Sequence, residues 1–560
     1  MEKMREFSVL IGGKAGDGIN QSGLLISHLL SQLGYYIYMY FDYPSLIRGG
    51  HNFSIIRASK NKIGSHSEKV DFLLALNQET IDLHKNRLEY DSFIIYDSDM
   101  VESESLPDNI KRLGIPLKEI ISEEKASPVM RNSILLGAFS KSLGFDWSVI
   151  EKVFRKNIHK EIELNLKLAQ KGYKKTEELI KVETVKQKVL PILTGNEAIG
   201  LGLINSGLRS YIAYPMTPSS TILHFLAQIA NKFNLKVIHP ENEIAVILMA
   251  LGFSYMGEKV AVGTSGGGFC LMNEGLSLSG MAELPIVIVI AQRPGPSTGV
   301  PTYTAQGDLD YALNAGHGEF ARLLVAPGDA EQAFYWSSLA LNISWKYQIP
   351  SIILTDKALS EGTYSFDIYQ IEAINEEKPL LWNRKKPYKR YLDTKTGISP
   401  LAFVPEKDVV IKVNSYEHDE YGFTTEKPQK IRKMSEKRFR KQKYLEKELQ
   451  NYKSVNVFGE KDSPTVLLCW GSNKGICSEL GQKFGFKVVQ PVVLSPFPLS
   501  QFNKVLKGVK KIISIENNLT GQLTKLISRY GFRVDEKILK HDGRPFSLEE
   551  LEKKLNELKV

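Results

Sequence analysis

Three side chains with different chemistry follow strand-like segments in the middle of the chain: the hydroxyl of Thr217, the carboxylate of Glu243 and the guanidinium of Arg293. A guanidinium can clamp a carboxylate with charge-assisted hydrogen bonds. The pattern around Glu243 predicts a helix N-terminus, which favours the ionised form of a carboxylate. Ligands of open α/β sheets bind outside the carboxyl ends of the strands. We therefore expect the three turns that carry these residues to deliver them to one edge of a sheet.

The turn that carries Thr217 is part of residues 211–220, which begin as a short apolar strand. Two prolines then force a rigid turn, and Ser219 and Ser220 are suited to capping the helix that follows. Taken alone, this pattern is more typical of an ordinary turn between a strand and a helix. Glu243 and Arg293 also have ordinary structural explanations. Glu243 fits a carboxylate at a helix start, and Arg293 fits an arginine in a salt bridge.

The elements around these turns predict a parallel sheet. Apolar, mostly β-branched strand candidates alternate with helix candidates, and the strands lie at residues 236–239, 259–263 and 285–291. The glycine-rich stretch 264–268 and the segment 292–299 follow two of them. Strands that alternate with helices indicate a parallel sheet covered by helices on both faces.

The whole chain is predicted to be an α/β protein of several domains, because 560 residues exceed what one core supports. We predict an α/β domain at 1–185, the sheet domain at 190–365, a charged linker or insert at 366–455 and a small α/β domain at 456–560. Residues 160–190 are expected to form a charged helical linker. In the first domain, the strand candidate 7–11 leads into the glycine-rich turn 12–18, and a second glycine-rich segment lies at 43–52. The first turn fits a tight structural turn as well as it fits a phosphate site.

The composition restricts the class of protein. The chain is 42% hydrophobic and 24% charged, which is typical of globular proteins, and its three cysteines form no Cys-x-x-Cys pair. We therefore predict neither a zinc site nor an iron–sulfur cluster built from this chain alone, and no metal ligands on it. Residues 417–420 read Glu-His-Asp-Glu, and we expect a hydrogen-bonded loop there rather than a metal site. The absence of a long apolar run and of a signal core predicts a cytoplasmic protein with no membrane contact.

The net charge of +9 raises the question of a nucleic-acid partner. The basic residues are concentrated in segments 384–390 and 427–453. The second segment also contains glutamates at helical spacing, so a solvated charged helix is the preferred interpretation. A docking surface for an acidic protein is a weaker alternative, and nucleic acid is not expected.

Several motifs, in order along nearly the whole chain, resemble those of one enzyme family. The family is the α subunit of 2-oxoacid:ferredoxin oxidoreductases with a γ domain fused at its N-terminus. Its Tyr-Pro-Ile-Thr-Pro signature stands here as Tyr214-Pro215-Met216-Thr217-Pro218, with a methionine in place of the isoleucine. The other similar segments are 12–18 and 43–52 in the γ-type region, and 241–243, 292–299, 417–420, 492–498 and 516–522 in the α-type region.

The resemblance implies a fold, an activity and partners. The implied fold has an N-terminal γ-type domain, a thiamine diphosphate pyrimidine-binding domain and a small C-terminal domain like that of transketolase. The implied activity is oxidative decarboxylation of a 2-oxoacid with coenzyme A, with ferredoxin as electron acceptor. Thiamine diphosphate would be shared with a β subunit, and Mg²⁺ and the iron–sulfur cluster would belong to that β subunit.

The resemblance also assigns roles to residues. Glu243 would hydrogen-bond the pyrimidine ring and favour the tautomer that removes the C2 proton of thiamine, so it is both catalytic and cofactor-binding. Thr217 would offer its hydroxyl to the 2-oxo group, as a catalytic and substrate-binding residue, and Arg293 would bind the substrate carboxylate. Tyr214 and Pro215 would contact the cofactor.

Alternatives remain open at this point. The fused arrangement favours 2-oxoglutarate or a broad range of 2-oxoacids, with a pyruvate-specific enzyme as the alternative. On fold alone, another thiamine enzyme such as a transketolase is an option, although the γ-type domain argues against it. A non-catalytic scaffold or docking subunit of such a complex is the alternative from another class.

Overall fold

The computed structural model describes residues 6–45, 49–102, 104 and 110–558. Part of the glycine-rich segment 43–52, residues 46–48, lies outside the described residues. By their internal contacts the residues divide into two units. The first unit comprises Met1–Leu193, Gly362–Asp367 and Phe546–Val560, and the second comprises Thr194–Glu361 and Ile368–Pro545. Elements are numbered along the chain.

The first unit is built on an eight-stranded mixed sheet. Its strands are β1 Glu6–Lys14, β2 Tyr36–Asp42, β3 His51–Ser59, β4 Val70–Ala75, β5 Leu88–Asp97, β6 Lys111–Ile115, β7 Ile192–Thr194 and β14 Thr363–Ser365. They lie in the order β6-β5-β4-β1-β3-β2-β14-β7, and β1 is parallel to β4 and antiparallel to β3. The helices are α1 Ile19–Gln32, α2 Gln78–His84, α3 Leu117–Glu123, α4 Arg131–Ser142, α5 Trp147–Asn157, α6 Ile162–Lys174 and α19 Leu548–Glu557.

Some features of the first unit differ from the sequence prediction. The strands β2 and β6 are not predicted, although the aromatic-rich composition of β2 is typical of a strand. The predicted helix over residues 160–190 is wrong beyond Lys174, where α6 ends. The backbone after Lys174 bonds to earlier parts of the first unit instead of forming a helix. Leu179 N donates to Ser142 O at 3.0 Å, and Val185 N donates to Leu33 O at 2.7 Å.

The second unit contains the predicted parallel sheet, here with seven strands. The strands are β8 Ser210–Ile212, β9 Lys236–Ile238, β10 Val260–Thr264, β11 Ile286–Gln292, β12 Leu323–Val325, β13 Pro350–Asp356 and β18 Val493–Ser495, in the order β18-β12-β13-β11-β10-β8-β9. All pairs are parallel except the antiparallel pair of β12 with the edge strand β18. Every residue of β11 is buried, as its apolar, β-branched sequence predicts for a central strand.

Helices accompany this sheet, as predicted. They are α7 Gly195–Asn205, α8 Ser220–Phe233, α9 Glu243–Tyr255, α10 Gly266–Leu271, α11 Asn273–Ala282, α12 Leu309–Asn314, α13 Ala330–Tyr347 and α14 Lys357–Ser360. The parallel strands and these helices confirm the α/β class.

A second, five-stranded sheet follows in the second unit. Its strands are β15 Val455–Gly459, β16 Thr465–Cys469, β17 Lys487–Pro491, β19 Lys511–Glu516 and β20 Glu536–Leu539, in the order β15-β17-β16-β19-β20. The accompanying helices are α16 Lys474–Phe484, α17 Leu499–Val505 and α18 Gln522–Ser528. Two parts of the predicted 456–560 domain belong elsewhere. Strand β18 is part of the seven-stranded sheet, and Phe546–Val560 belongs to the first unit. The predicted domain limits themselves remain predictions.

The basic segment forms a helix, α15 Pro428–Leu449, as predicted, but its full solvation was predicted wrongly. Lys437 and Lys441 are buried, and their ammonium groups lie 2.7 and 2.5 Å from the buried Glu283 carboxylate. Arg438 donates two hydrogen bonds, of 2.9 and 2.6 Å, to Glu417. Partners far away in the sequence therefore draw one face of this helix out of water.

The Glu-His-Asp-Glu segment is a hydrogen-bonded loop, as predicted. His418 is buried, and its Nδ1 lies 2.8 Å from Tyr416 O. Asp419 and Glu420 pair with Lys430 and Lys389 at 3.0 and 3.2 Å.

None of the helices among the described residues combines the length and the apolar character that a membrane span requires.

Candidate active site

The turn after β8 is held from two sides. Asn196 Nδ2 donates to Pro218 O at 2.8 Å, and Ser219 Oγ donates to Met216 O at 2.7 Å. The prediction that Ser219 caps α8 is therefore wrong, because its hydroxyl closes the preceding turn and makes no cap bond within the described residues. These bonds fix the backbone on both sides of Thr217.

Glu243 is the first residue of α9 and is only 5% exposed. Asn242 caps this helix, and its Oδ1 accepts a hydrogen bond from Ala245 N at 2.9 Å. The helix start therefore places an acidic group in a nearly water-free position at the edge of the sheet.

The glycine-rich stretch after β10 makes room for that carboxylate. A Cβ on Gly268 would collide with Thr264 Oγ1 and would stand 2.5 Å from Glu243 Oε1. Only glycine allows the start of α10 to come this close to Glu243. The sequence pattern showed the glycines but not which side chain they make room for.

Arg293 follows the last residue of β11, and its Nη1 donates to Thr217 O at 2.9 Å. Burial lowers the pKa of the Arg293 guanidinium, and the carboxylates of Asp308 and Glu243 oppose that shift. Thr217, Glu243 and Arg293 therefore lie together, which is the arrangement that the three turns predict. The contact of Arg293 with Thr217 is to the backbone carbonyl and not to the hydroxyl.

Asp308 is a charged member of the site that sequence reasoning missed. Burial raises the pKa of its carboxyl to about 6, against the lowering effect of Arg293. Its backbone N–H donates to Gln292 Oε1 at 2.9 Å, and a Cβ on Gly266 would collide with its carboxylate. Asp308 precedes the short helix α12 in a segment without strand periodicity, so no sequence signal linked it to Arg293.

The two predicted cofactor contacts lie at the start of the Thr217 turn. Tyr214 is 36% exposed, and its ring meets that of His239 edge to face, with centroids 5.8 Å apart. Pro215 is half-buried. Both are at least partly exposed, and their predicted contact with a cofactor stays a prediction.

A wide groove of about 1200 Å³ begins one residue after Glu243. It lies between α9, α11 and α15, and four large apolar side chains that are about half exposed line it: Ile244, Leu248, Leu271 and Phe439. Charged residues of α15 also line it. Exposed apolar patches of this kind commonly mark interaction surfaces.

A parallel sheet that gathers one guanidinium and two carboxylates at its carboxyl edge defines a ligand-binding α/β domain of the kind found in enzymes. Comparison with known proteins identifies it further. Residues 202–437 match the family described as pyruvate flavodoxin/ferredoxin oxidoreductase, thiamine diphosphate-binding, and residues 8–175 match the family described as pyruvate ferredoxin/flavodoxin oxidoreductase.

Individual relatives agree with these matches. The chain is 32% identical to the alpha subunit of 2-oxoacid:ferredoxin oxidoreductase from Saccharolobus solfataricus, over 97% of this chain and 96% of that protein. It is 30% identical to 2-oxoglutarate synthase subunit KorA from Methanocaldococcus jannaschii, over 64% of this chain and 98% of that protein. The solved structure of 2-oxoglutarate:ferredoxin oxidoreductase from Magnetococcus marinus, with 2-oxoglutarate, coenzyme A and succinyl-CoA bound, superposes with a TM-score of 0.88 at 29% identity, covering 99% of this chain and 100% of that chain.

The chain belongs to the family of 2-oxoacid:ferredoxin oxidoreductase alpha subunits. The fold and the family that its motifs predict are thereby confirmed, and residues 202–437 contain a thiamine diphosphate-binding domain. The name of the subunit implies a partner subunit.

The residues around Glu243 fit the pyrimidine half of thiamine diphosphate. A pyrimidine ring carries nitrogen atoms that need hydrogen-bond partners where water is excluded. Glu243 is nearly buried, and the hydroxyls of Thr264 and Ser265 are buried without a hydrogen-bond partner among the described residues. Since buried polar groups are normally bonded, these hydroxyls are suited to the polar atoms of a bound ring.

Proposed function

We propose that this chain, together with a β-type partner subunit, catalyses the oxidative decarboxylation of a 2-oxoacid with coenzyme A to acyl-CoA, CO2 and reduced ferredoxin. The observation that carries the proposal is the contact of Arg293 with the Thr217 turn, with Glu243 and Asp308 close enough to act on the guanidinium electrostatically. This cluster lies within the residues that match the thiamine diphosphate-binding family.

The side chains of this chain divide the work of binding. Thiamine diphosphate, when bound, supplies the nucleophile and the electron sink that cleavage of a 2-oxoacid needs. Glu243 hydrogen-bonds the pyrimidine ring, and Tyr214 and Pro215 contact the cofactor. Arg293 binds the substrate carboxylate with its remaining donors, and the Thr217 hydroxyl donates to the 2-oxo group. These residues therefore orient two reactants against each other.

The partner subunit would contribute the remaining cofactors of the reaction. In the proposal it holds Mg²⁺, the diphosphate and the iron–sulfur cluster that passes electrons to ferredoxin, in a cytoplasmic complex. The apolar groove next to Glu243 supports a contact of the partner at this place, because a partner there would cover the exposed side chains and the coenzyme site together. Leu248→Glu is expected to lower the yield of co-purified complex, and an unchanged yield would contradict this placement.

The preferred substrate is 2-oxoglutarate or a broad range of 2-oxoacids. The names of the relatives favour this proposal over a pyruvate-specific enzyme, because they are 2-oxoacid and 2-oxoglutarate enzymes. The test is to co-purify the chain with its partner and to measure coenzyme A-dependent reduction of a viologen dye with pyruvate, 2-oxobutyrate and 2-oxoglutarate.

Reduction that requires both coenzyme A and a 2-oxoacid is the expected result. Reduction with pyruvate alone would support the pyruvate-specific alternative. A pure complex that binds thiamine diphosphate but reduces no dye with any of the three acids would favour a scaffold or docking subunit.

A further inference from the structure

The segment that carries Asp308, residues 303–310, is held mainly by the C-terminal part of the second unit. Gln306 is fully buried and makes four hydrogen bonds to that part. Its N–H donates to Asn517 O at 2.7 Å, and its Nε2 donates to Trp470 O at 2.8 Å. Its Oε1 accepts from Asn473 Nδ2 at 2.9 Å and from Asn517 N at 3.0 Å.

Gln522, the first residue of α18, holds the backbone on both sides of Asp308. Its Nε2 donates to Gly307 O at 2.7 Å, and its Oε1 accepts from Asp310 N at 3.0 Å. The side chain is 9% exposed, so water competes little for these bonds. One amide thus bridges the residue before Asp308 and the second residue after it.

The segment 516–522, whose residues resemble a family motif, folds so that Gln522 has this position. The buried Glu516 carboxylate accepts from Leu523 N at 2.8 Å and from Thr524 N at 3.1 Å. Asn518 Oδ1 accepts from Gly521 N at 2.7 Å and Gln522 N at 3.3 Å. A charged acceptor and an amide therefore fix the start of α18.

Asp308 is in turn connected to the substrate side of the site. Its N–H donates to Gln292 Oε1 at 2.9 Å, and Gln292 directly precedes Arg293. The Asp308 carboxylate acts on the Arg293 guanidinium electrostatically. Hydrogen bonds therefore run from Gln522 to the backbone on both sides of Asp308 and from Asp308 to Gln292, the residue next to Arg293.

We propose that Gln522 is a positioning residue that holds Asp308 beside Arg293 and thereby sets the affinity of the site for the substrate carboxylate. The inference rests on the proposed function, and it gives the 516–522 segment a task in substrate binding. Gln306 anchors the same segment two residues before Asp308.

The test uses the co-purified complex and the dye-reduction assay. Gln522→Met keeps the volume of the side chain but removes both hydrogen bonds. We expect the KM for the 2-oxoacid to rise about fivefold to twentyfold, since two hydrogen bonds contribute on the order of a factor of ten, with kcat changed less than twofold. Gln522→Glu, which keeps the acceptor for Asp310 N and loses the donor to Gly307, is the second variant and is expected to raise KM in the same direction.

Gln501 offers a matched control, because its side chain makes bonds of similar length away from the site. Its Oε1 accepts from Ser454 N and Val455 N at 3.1 and 3.2 Å, and its Nε2 donates to Tyr452 O at 2.9 Å. Gln501→Met is expected to lower Tm but to leave KM unchanged.

A double-mutant cycle separates positioning from a general structural effect. If Gln522 acts through Asp308, Gln522→Met adds no further rise in KM in an Asp308→Asn background. Equal rises in both backgrounds, or an unchanged KM in both Gln522 variants of an active complex, would overturn the inference alone. A wild-type complex without any 2-oxoacid-dependent reduction would overturn the proposed function together with it.

Discussion

Replacing Arg293 by alanine removes the guanidinium on which the site is organised. The Thr217 carbonyl loses the donor at 2.9 Å, and the Asp308 and Glu243 carboxylates lose the cation that acts on both. A substrate carboxylate would then meet two acidic groups without a compensating charge. Arg293→Ala should therefore weaken substrate binding, while the cofactor should stay bound through Glu243.

The magnitude follows from one charge-assisted interaction. Hydrogen bonds to charged groups contribute roughly 1.5–3 kcal/mol, which corresponds to a decrease of about 10- to 160-fold in kcat/KM. Because the substrate carboxylate is bound before and during the reaction, most of the decrease should appear as a higher KM. Arg293→Lys keeps a charge but loses the planar fork, so its decrease should be smaller than that of Arg293→Ala.

The assay is dye reduction by the co-purified complex over a range of 2-oxoacid concentrations. Arg155→Ala is the control, because this arginine pairs with Glu151 and Glu163 on the surface of the first unit. It should leave kcat/KM unchanged. An unaltered kcat/KM in Arg293→Ala, or a loss confined to kcat, would refute the assignment of Arg293 to the substrate carboxylate.

Three further predictions concern other parts of the second unit. Glu243→Ala should lower turnover of the complex by a factor of about 10² to 10⁴, the range for lost acid–base assistance, and unchanged turnover would remove Glu243 from the mechanism. Burial raises the pKa of Asp308 to about 6, so this carboxyl loses its proton as pH rises from about 5 to 7. Since the ionised Asp308 carboxylate attracts the Arg293 guanidinium and holds it in place for the substrate, the KM for the 2-oxoacid should fall across that window. Asp308→Asn should flatten the fall, and an equal fall in both proteins would contradict it. Glu283→Gln leaves two buried lysines without their counter-ion and should destabilise the protein by about 3–5 kcal/mol in thermal unfolding; an unchanged Tm would argue against the buried ion pairs.

Local patterns in the sequence predict much of this fold. The apolar, β-branched strand at 285–291 corresponds to β11, and the turns after β8 and β11 begin where prolines and a change to polar residues indicate. A parallel sheet then follows from the alternation of strands and helices, and the carboxyl edge of that sheet brings Thr217, Glu243 and Arg293 together. These features depend on neighbouring residues, which is why the sequence contains them.

Other features depend on partners far away in the sequence. Lys437 pairs with Glu283, which lies 154 positions earlier, so a charged helical pattern alone could not indicate that this lysine is buried. Serine is a residue type that often caps helices, but the Ser219 hydroxyl donates to the Met216 carbonyl instead. The backbone on both sides of Asp308 bonds to Gln522, more than 200 residues later, and no periodicity in the sequence indicates such a contact.

The most direct test of the account is an experimental structure of the complex of this chain and its partner with thiamine diphosphate and a 2-oxoacid bound. We expect the Glu243 carboxylate within hydrogen-bond distance of the pyrimidine ring, about 2.6–3.2 Å, and the Arg293 guanidinium on the substrate carboxylate. A coenzyme bound with its pyrimidine ring away from Glu243, or a substrate carboxylate held by other residues, would contradict the account.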